Sequence, residues 1–283
     1  MGREFKAMLA PASAPHSFKP KNIYTAVVKT LFSLYDTVLV AAFFQFLFCV
    51  LLPPGFSVVP SAVLLLGYAA TSLIHYLTPS SSVNPYTQHV VPGRATAQLP
   101  GPSGSFGAAP GAQGGLVVFI LGVQWNHPLG ILCPGGKDVS QKFLAMNADL
   151  LRRREELGLL SVNNWNGASL ETATSTSITY YFRDVESIHR FAHEELHRKA
   201  WDWFSGRRYK HIGIFHETFI VPARSYETGY VNCIPAGLGR GVVRCEDAGG
   251  EGQWVNTLVS ADTPALRTQM SRLGRDAQGN PKE

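Results

Sequence analysis

The stretch TSTSITYYFRDVESIHRFAHEELHRKAWDWF (174–204), with HIGIFHETFIV (211–221) close behind it, decides the fold. Residues 174–182 are rich in β-branched and aromatic types, which suits a pleated, half-buried strand. Asp184 then stands where a helix N-cap belongs. Val185, Ile188, Ala192, Leu196 and Trp203 fall on one stripe of the helix predicted to follow. In HIGIFHETFIV the period returns to two, so the whole segment reads strand, helix, strand.

Upstream, LVVFILGVQW (116–125) is a β-rich apolar run bounded by glycine, the pattern of a buried strand. VSQKFLAMNADLLRRREEL (139–157) spaces Phe143, Leu144, Leu150 and Leu151 for a helix, with Gly158 as its stop. Downstream, YETGYVNCI (226–234) reads as one more strand. The predicted order over residues 115–247 is therefore β-α-β-α-β-β, an α+β, ferredoxin-like domain with helices on one face of its sheet. One such unit leaves the other face open, and a second copy would cover it, so a homodimer is expected.

Toward the N-terminus the chemistry changes. Residues 1–30 carry Arg3, Lys6, Lys19, Lys21 and Lys29 among prolines and read as a disordered basic arm. LFSLYDTVLVAAFFQFLFCVLL (31–52) and the run from Phe56 to Tyr76 are almost free of charge. Each holds about 20 residues, enough to cross a hydrocarbon core of about 30 Å. Pro53-Pro54-Gly55 forces a reversal between them. The expectation is a transmembrane helical hairpin over 31–77; a cleaved signal peptide would have one shorter apolar stretch. The early positive charges orient the N-terminus to the cytosol, and two crossings return the folded domain to the cytosolic side. Residues 78–114, rich in Pro, Gly and Ser, read as a disordered linker, and 248–283 as a polar tail that frays.

A net charge of +5 is a modest excess, and no Lys/Arg run interleaved with aromatics is present, which argues against nucleic-acid binding. The four cysteines form no C-x-x-C pair or disulfide framework, in keeping with reduced thiols in a cytosolic setting. Gly237, Gly239 and Gly241 do not lead into a helix, so no nucleotide-binding fingerprint is read there.

Several residues are candidates for chemistry. His193-Glu194-Glu195-Leu196-His197 matches H-E-x-x-H, which on one helix would set two imidazoles for zinc and Glu194 as general base. At about 100° per residue, Glu194 points away from the apolar stripe and no third ligand follows, so a solvated helix flank is the preferred account and a zinc hydrolase the lesser alternative. His189 lies closer to the stripe and is a candidate for lining a cavity. In HIGIFHETFIV, His216 shares a face with Ile212, Ile214 and Ile220, while Glu217 lies opposite between Phe215 and Phe219. Burying both is costly unless they find partners. Tyr226, Thr228, Tyr230 and Asn232 share one strand face and offer phenol and amide groups to a substrate oxygen. Trp125-Asn126-His127 ends the first strand, and Asn163, Asn164 and Trp165 form a similar cluster; such positions often line sites.

Three blocks, WNHPLGILCPGG (125–136), SITYYFRDVESIHRFAHEELHRKAWDWF (177–204) and HIGIFHETFIVPARSYETGYVNCIPAGLG (211–239), together resemble the fungal monooxygenase-like family typified by the small monooxygenase of the fumagillin pathway. That family is distantly similar to antibiotic-biosynthesis monooxygenases with a dimeric α+β barrel. The resemblance implies oxidation, by dioxygen, of a hydrophobic polyketide- or terpenoid-like small molecule in secondary metabolite biosynthesis, at a membrane. It also implies chemistry without metal or flavin, in which a substrate enolate or phenolate activates dioxygen itself. On that reading His216 or His127 is the base, with Glu217 beside it, and Asn126 and Asn232 hold an oxyanion. Trp125, Trp165, His189, Tyr226 and Tyr230 bind the substrate. Two alternatives stay open: a haem held by His189, His211 or His216, and a non-enzymatic module that binds a hydrophobic metabolite.

Overall fold

The computed structural model describes residues 5–18, 34–78, 84, 86–106, 115–167, 175–223, 225–246 and 252–281. They divide into two compact units, one of residues 19–90 and the other of residues 1–18 with 91–283.

In the first unit, α1 (Leu34–Leu51) and α2 (Val59–Leu77) are joined by a turn in which Gly55 takes a φ of +89°, a left-handed conformation that suits glycine. Gln45, the amide in the middle of an apolar helix, is satisfied within the pair. It donates to the Ser57 carbonyl at 3.2 Å and accepts from the Ser61 hydroxyl. Val59–Leu77 is long and apolar enough to cross a membrane by length and composition, while the apolar stretch of α1, Tyr35–Leu51, is shorter. No residue of α2 is buried against protein.

The second unit is built on a four-stranded antiparallel sheet of β2 (Leu116–Trp125), β3 (Leu159–Asn166), β4 (Ser175–Phe182) and β5 (Ile212–Val221), in the order β3-β4-β2-β5. Between them run α3 (Gly136–Arg152), α4 (Val185–His193) and α5 (Glu195–Arg207). The chain order is thus β-α-β-β-α-α-β, the split β-α-β arrangement of ferredoxin-like folds. It corrects the predicted β-α-β-α-β-β order. The missed strand is β3, whose LLSVNNWN carries three asparagines that read as loop. Its backbone nevertheless pairs with β4 from Leu159 to Asn166.

Alternation along β2 separates the two faces of the sheet. Val117, with Phe119 and Leu121 beside it, packs under Leu150 of α3 and Phe191 of α4, while Val123 and Trp125 pack under Val139 of α3 with Trp203 and Phe204 of α5. All three helices therefore cover one face. The N-cap role read for Asp184 is realised: its carboxylate accepts from the Ser187 N–H at 2.8 Å.

The other face receives elements that composition assigned to linker and tail. β1 (Val91–Ala97) lies between β6 (Tyr230–Cys233) and β9 (Leu258–Ser260) in a second antiparallel sheet, and β7 (Val242–Glu246) pairs with β8 (Gly252–Asn256). Ala97 and Leu238 meet Leu116 and Leu160 there, so this chain covers the Leu116 end of the face left for a second copy. Within 78–114, Ala95, Thr96 and Ala97 are buried in β1. Within 248–283, Val259 and Leu266 are both 0% exposed, and a short helix α6 (Gln269–Arg272) opens on a Thr268–Ser271 capping box. Within 1–30, Met8 donates to the Leu258 carbonyl at 3.0 Å, and Ala12 and Trp254 exchange backbone hydrogen bonds. Disorder was expected of these segments because small and polar residues bury little apolar area. They are held instead by backbone pairing, for which alanine, threonine and serine serve as well as valine. The rest of the expected arm and linker, residues 1–4, 19–30, 79–83, 85 and 107–114, lies outside the described residues.

Candidate active site

β2 ends and β5 begins at the same edge of the sheet, with Trp125 in register with Ile212. The flanking loops are drawn together by the Asn126 N–H, which donates to the His211 carbonyl at 2.9 Å. As a result the His127 and His211 rings lie 5.4 Å apart, and Tyr209 stands edge-on to His211 at 5.6 Å. Gly135 makes room for this arrangement. It takes a φ of +82°, and a Cβ there would lie 2.5 Å from the Tyr209 hydroxyl.

Hydrogen bonds assign complementary roles to the two imidazoles. His211 Nε2 lies 2.9 Å from the Pro134 carbonyl, which can only accept, so Nε2 carries the proton and neutral His211 has its lone pair on Nδ1. In His127 the pattern is reversed. Nδ1 accepts from the Leu129 N–H at 3.1 Å, so in the neutral ring Nε2–H is the donor. One ring is thus set up to take a proton and its neighbour to give one.

Behind the histidines, between the sheet and helices α3 and α5, lies an apolar cluster of Val123, Trp125, Cys133, Val139 and Ile212, with Phe143, Trp203 and Tyr209 packed against it. Trp125 is 5% exposed, and its Nε1 is buried without an acceptor among the described residues. Leaving such a donor unsatisfied costs about 1–3 kcal/mol, which a bound oxygen atom would recover. Burial also pushes the Cys133 thiol up from its ordinary pKa, keeping it a neutral lining group. On the solvent side of the cluster, α3 and α5 flank an open groove of about 570 Å³ lined by Met146, Leu196 and Trp203 together with the charged Asp138, Lys199 and Arg207. Trp203 stands between groove and cluster, with Lys142 Nζ 4.6 Å and the Arg207 guanidinium 5.6 Å from its ring centre.

The other candidates are not brought to this place. His216 faces the helices, but β5 is an edge strand: both His216 and Glu217 are exposed, and the His216 ring packs 5.7 Å from Phe119. The expected cost of burying them does not arise. His189 is exposed on α4, whose buried residues are Ser187 and Phe191. Trp165 lies on the face away from the helices, 49% exposed, and donates to Thr179 at 3.1 Å. Tyr226, Tyr230 and Asn232 belong with the second sheet, where strand geometry starts only at Tyr230. The Tyr230 hydroxyl accepts from the Gly239 N–H at 2.9 Å and burial pushes its pKa up to about 12; Asn232 accepts from the Gly93 N–H at 2.8 Å. Asn232 thereby ties β6 to β1, while Tyr226 and Tyr230 pack against the apolar cluster between the sheets.

The H-E-x-x-H helix is broken at its glutamate. α4 ends at His193, and Glu194 is extended, with φ of −71° and ψ of 153°, capping α5. His193 Nδ1 bonds the His189 carbonyl and His197 Nδ1 the Ala192 carbonyl, while Glu194 is clasped through both oxygens by Arg153, at 2.6 and 2.7 Å. A zincin needs both histidines on one helix with a free glutamate between them. This geometry removes that reading.

Tyr209 was missed because it sits in a basic loop, SGRRYKH, without periodicity. His211 was weighed only as a haem ligand. The one available signal was spacing: a strand ending in Asn-His and another starting with His in an antiparallel sheet place two imidazoles at one edge.

Comparison with known proteins follows the same lines. The family model described as "Monooxygenase af470-like" matches residues 116–238, which run from the start of β2 to Leu238. The chain is 42% identical over 277 residues to "Monooxygenase af470" of Aspergillus fumigatus, covering 98% of this chain and 100% of that one. Among solved structures, an aldoxime dehydratase in complex with butyraldoxime is 12% identical with a TM-score of 0.39, covering 52% of this chain and 39% of its own. SnoaB, a cofactor-independent oxygenase from Streptomyces nogalater, is 10% identical with a TM-score of 0.27, covering 37% of this chain and 91% of its own. The full-length match, whose named activity suits the paired imidazoles beside an apolar cluster, places this chain in the af470-like monooxygenase family, as an oxidoreductase of the monooxygenase class.

Proposed function

We propose that the chain is a membrane-tethered monooxygenase that binds a hydrophobic, oxygen-bearing intermediate of secondary metabolism between the sheet and helices α3 and α5. The observation that carries this reading is the buried Trp125 Nε1–H, which has no acceptor among the described residues, on the strand that leads into the His127–His211 pair. A substrate enol or phenol oxygen accepts from Trp125. His211 Nδ1 removes a proton, and the apolar walls exclude water from the resulting anion. The electron-rich anion supplies the electrons for dioxygen: a methylene becomes a carbonyl, one oxygen atom enters the product and the other leaves as water. His127 Nε2–H returns a proton to the reduced oxygen. The protein supplies no redox group in this scheme. For a haem, His211 Nε2 is committed to Pro134, and His189 and His216 are exposed, which is a poor fit for an axial ligand.

The apolar hairpin gives the enzyme a reason to sit where such a substrate dissolves, with its domain on the cytosolic side. A second copy would cover what remains open on the sheet, where Phe215 and Phe219 are 38% and 49% exposed. Oxygen uptake by the full-length protein in detergent, with apolar phenols and 1,3-diketones as probes and an absorption spectrum of the same sample, tests the reading. Uptake by a colourless protein that falls sharply in His211→Ala is the expected result. A strong haem band, or uptake unchanged in His211→Ala, would overturn it.

A further inference from the structure

Residues 19–90 leave and re-enter one folded unit. On the leaving side, the Ser260 N–H donates to the Lys6 carbonyl at 2.8 Å, Met8 donates to Leu258, and Ala12 and Trp254 bond in both directions. Phe18 then lies under the Arg240 guanidinium at 5.8 Å. On the returning side, β1 pairs with β9 through Ala95, Thr96 and Ala97. Ala7 makes an isolated bridge to Val259 of the same β9, so the segments on both sides of residues 19–90 lie against one three-residue strand.

We infer that residues 5–18 are a clasp that ties the folded unit to the chain entering α1 independently of the connection at 79–90, so that the hairpin enters and leaves a membrane on the same side. Helix length by itself leaves the number of crossings ambiguous. Counting spans by length alone admits Val59–Leu77 and passes over α1, and a single crossing would put residues 5–18 and the domain on opposite sides of the bilayer. Docking both flanks to β9 forbids that. An α1 of 18 residues rises about 27 Å, close to the core thickness of about 30 Å, so it can supply the second crossing.

The membrane part rests on the tethering proposed above; the clasp does not. A site-specific protease sequence inserted between Thr78 and Pro79 of the full-length protein, with a tag at residue 1, separates the two. Expected are sedimentation of the intact protein with membranes, retention of the 79–283 fragment in the pellet after cleavage, and its co-purification with the tagged fragment in mild detergent. Met8→Pro with Ala12→Pro removes the two clasp donors and should release the fragment on cleavage. Since that variant could misfold, excess synthetic peptide of residues 5–18 added to the cleaved wild type provides a second route, and should displace the fragment as well. Immediate loss of the wild-type fragment after cleavage would overturn the clasp. Intact protein in the supernatant would overturn the membrane reading while leaving the co-purification to decide the clasp.

Discussion

Trp125→Phe separates what the indole does for the fold from what it does for the reaction. The substitution keeps an aromatic ring in the apolar cluster but removes about three ring atoms, Nε1 with its hydrogen among them. Lost packing costs roughly 2 kcal/mol at about 0.8 kcal/mol per buried carbon. Removing a buried donor without an acceptor returns about 1–3 kcal/mol. The two nearly cancel, so the melting temperature should change by no more than a few degrees. Trp125→Ala has no such compensation and should cost about 3–5 kcal/mol. Catalysis should respond differently. If Nε1–H holds the oxygen that gains negative charge, its removal is felt mainly in the transition state, and kcat should fall by about 10²–10³. kcat/KM should fall by a similar factor, because ground-state binding contributes less. The assay is thermal unfolding alongside oxygen-uptake kinetics for wild type, Trp125→Phe and Trp125→Ala. A Trp125→Phe protein that melts normally and turns over within about threefold of wild type would refute the assignment of the donor to the substrate.

Three further outcomes are expected. Glu194→Gln should leave turnover within a few-fold and metal content unchanged, because the Glu194 carboxylate is engaged by Arg153; loss of activity by orders of magnitude in a folded protein would restore the hydrolase reading. Leu266→Ala should destabilise the domain by about 2–5 kcal/mol and lower its Tm by roughly 5–15 °C, since Leu266 is 0% exposed; an unchanged melting curve would mean that the tail frays after all. Burial raises the phenols of Tyr180, Tyr181, Tyr226 and Tyr230, the last to about 12 from an ordinary 10.0. Each folded-state pKa lies above its unfolded value, so this stability is fully present below about pH 10 and is lost as the pH climbs toward 12. Tyrosinate absorbance should therefore rise together with loss of the fold across that window, and four tyrosines that titrate freely near pH 10 would contradict the burial.

The local elements were legible because their signals are local. An uninterrupted β-rich run gave β2, period-two alternation with β-branched and aromatic residues gave β4 and β5, and the cap at Asp184 follows from single-residue backbone chemistry, whereas the helix expected to run to a stop at Gly158 ends at Arg152. The apolar hairpin likewise shows in composition alone, and the blocks spanning 125–239 pointed to the family. Trp125, Asn126 and His127 were singled out because a strand that ends in polar and aromatic residues usually ends at a site. What pairing across the sheet decides was not legible. Long-range register brings His211 to His127, and the hydrogen bonds of Pro134 and Leu129 choose which ring nitrogen is basic. At the break of the H-E-x-x-H helix, Glu194 is held by Arg153 from just beyond the end of α3, and no helical wheel contains that partner. β1, β9 and the segment 5–18 are held by backbone hydrogen bonds and small buried side chains. Periodicity and hydropathy measure only side chains, so both are blind to a segment whose place in the fold is decided by the edges of other strands.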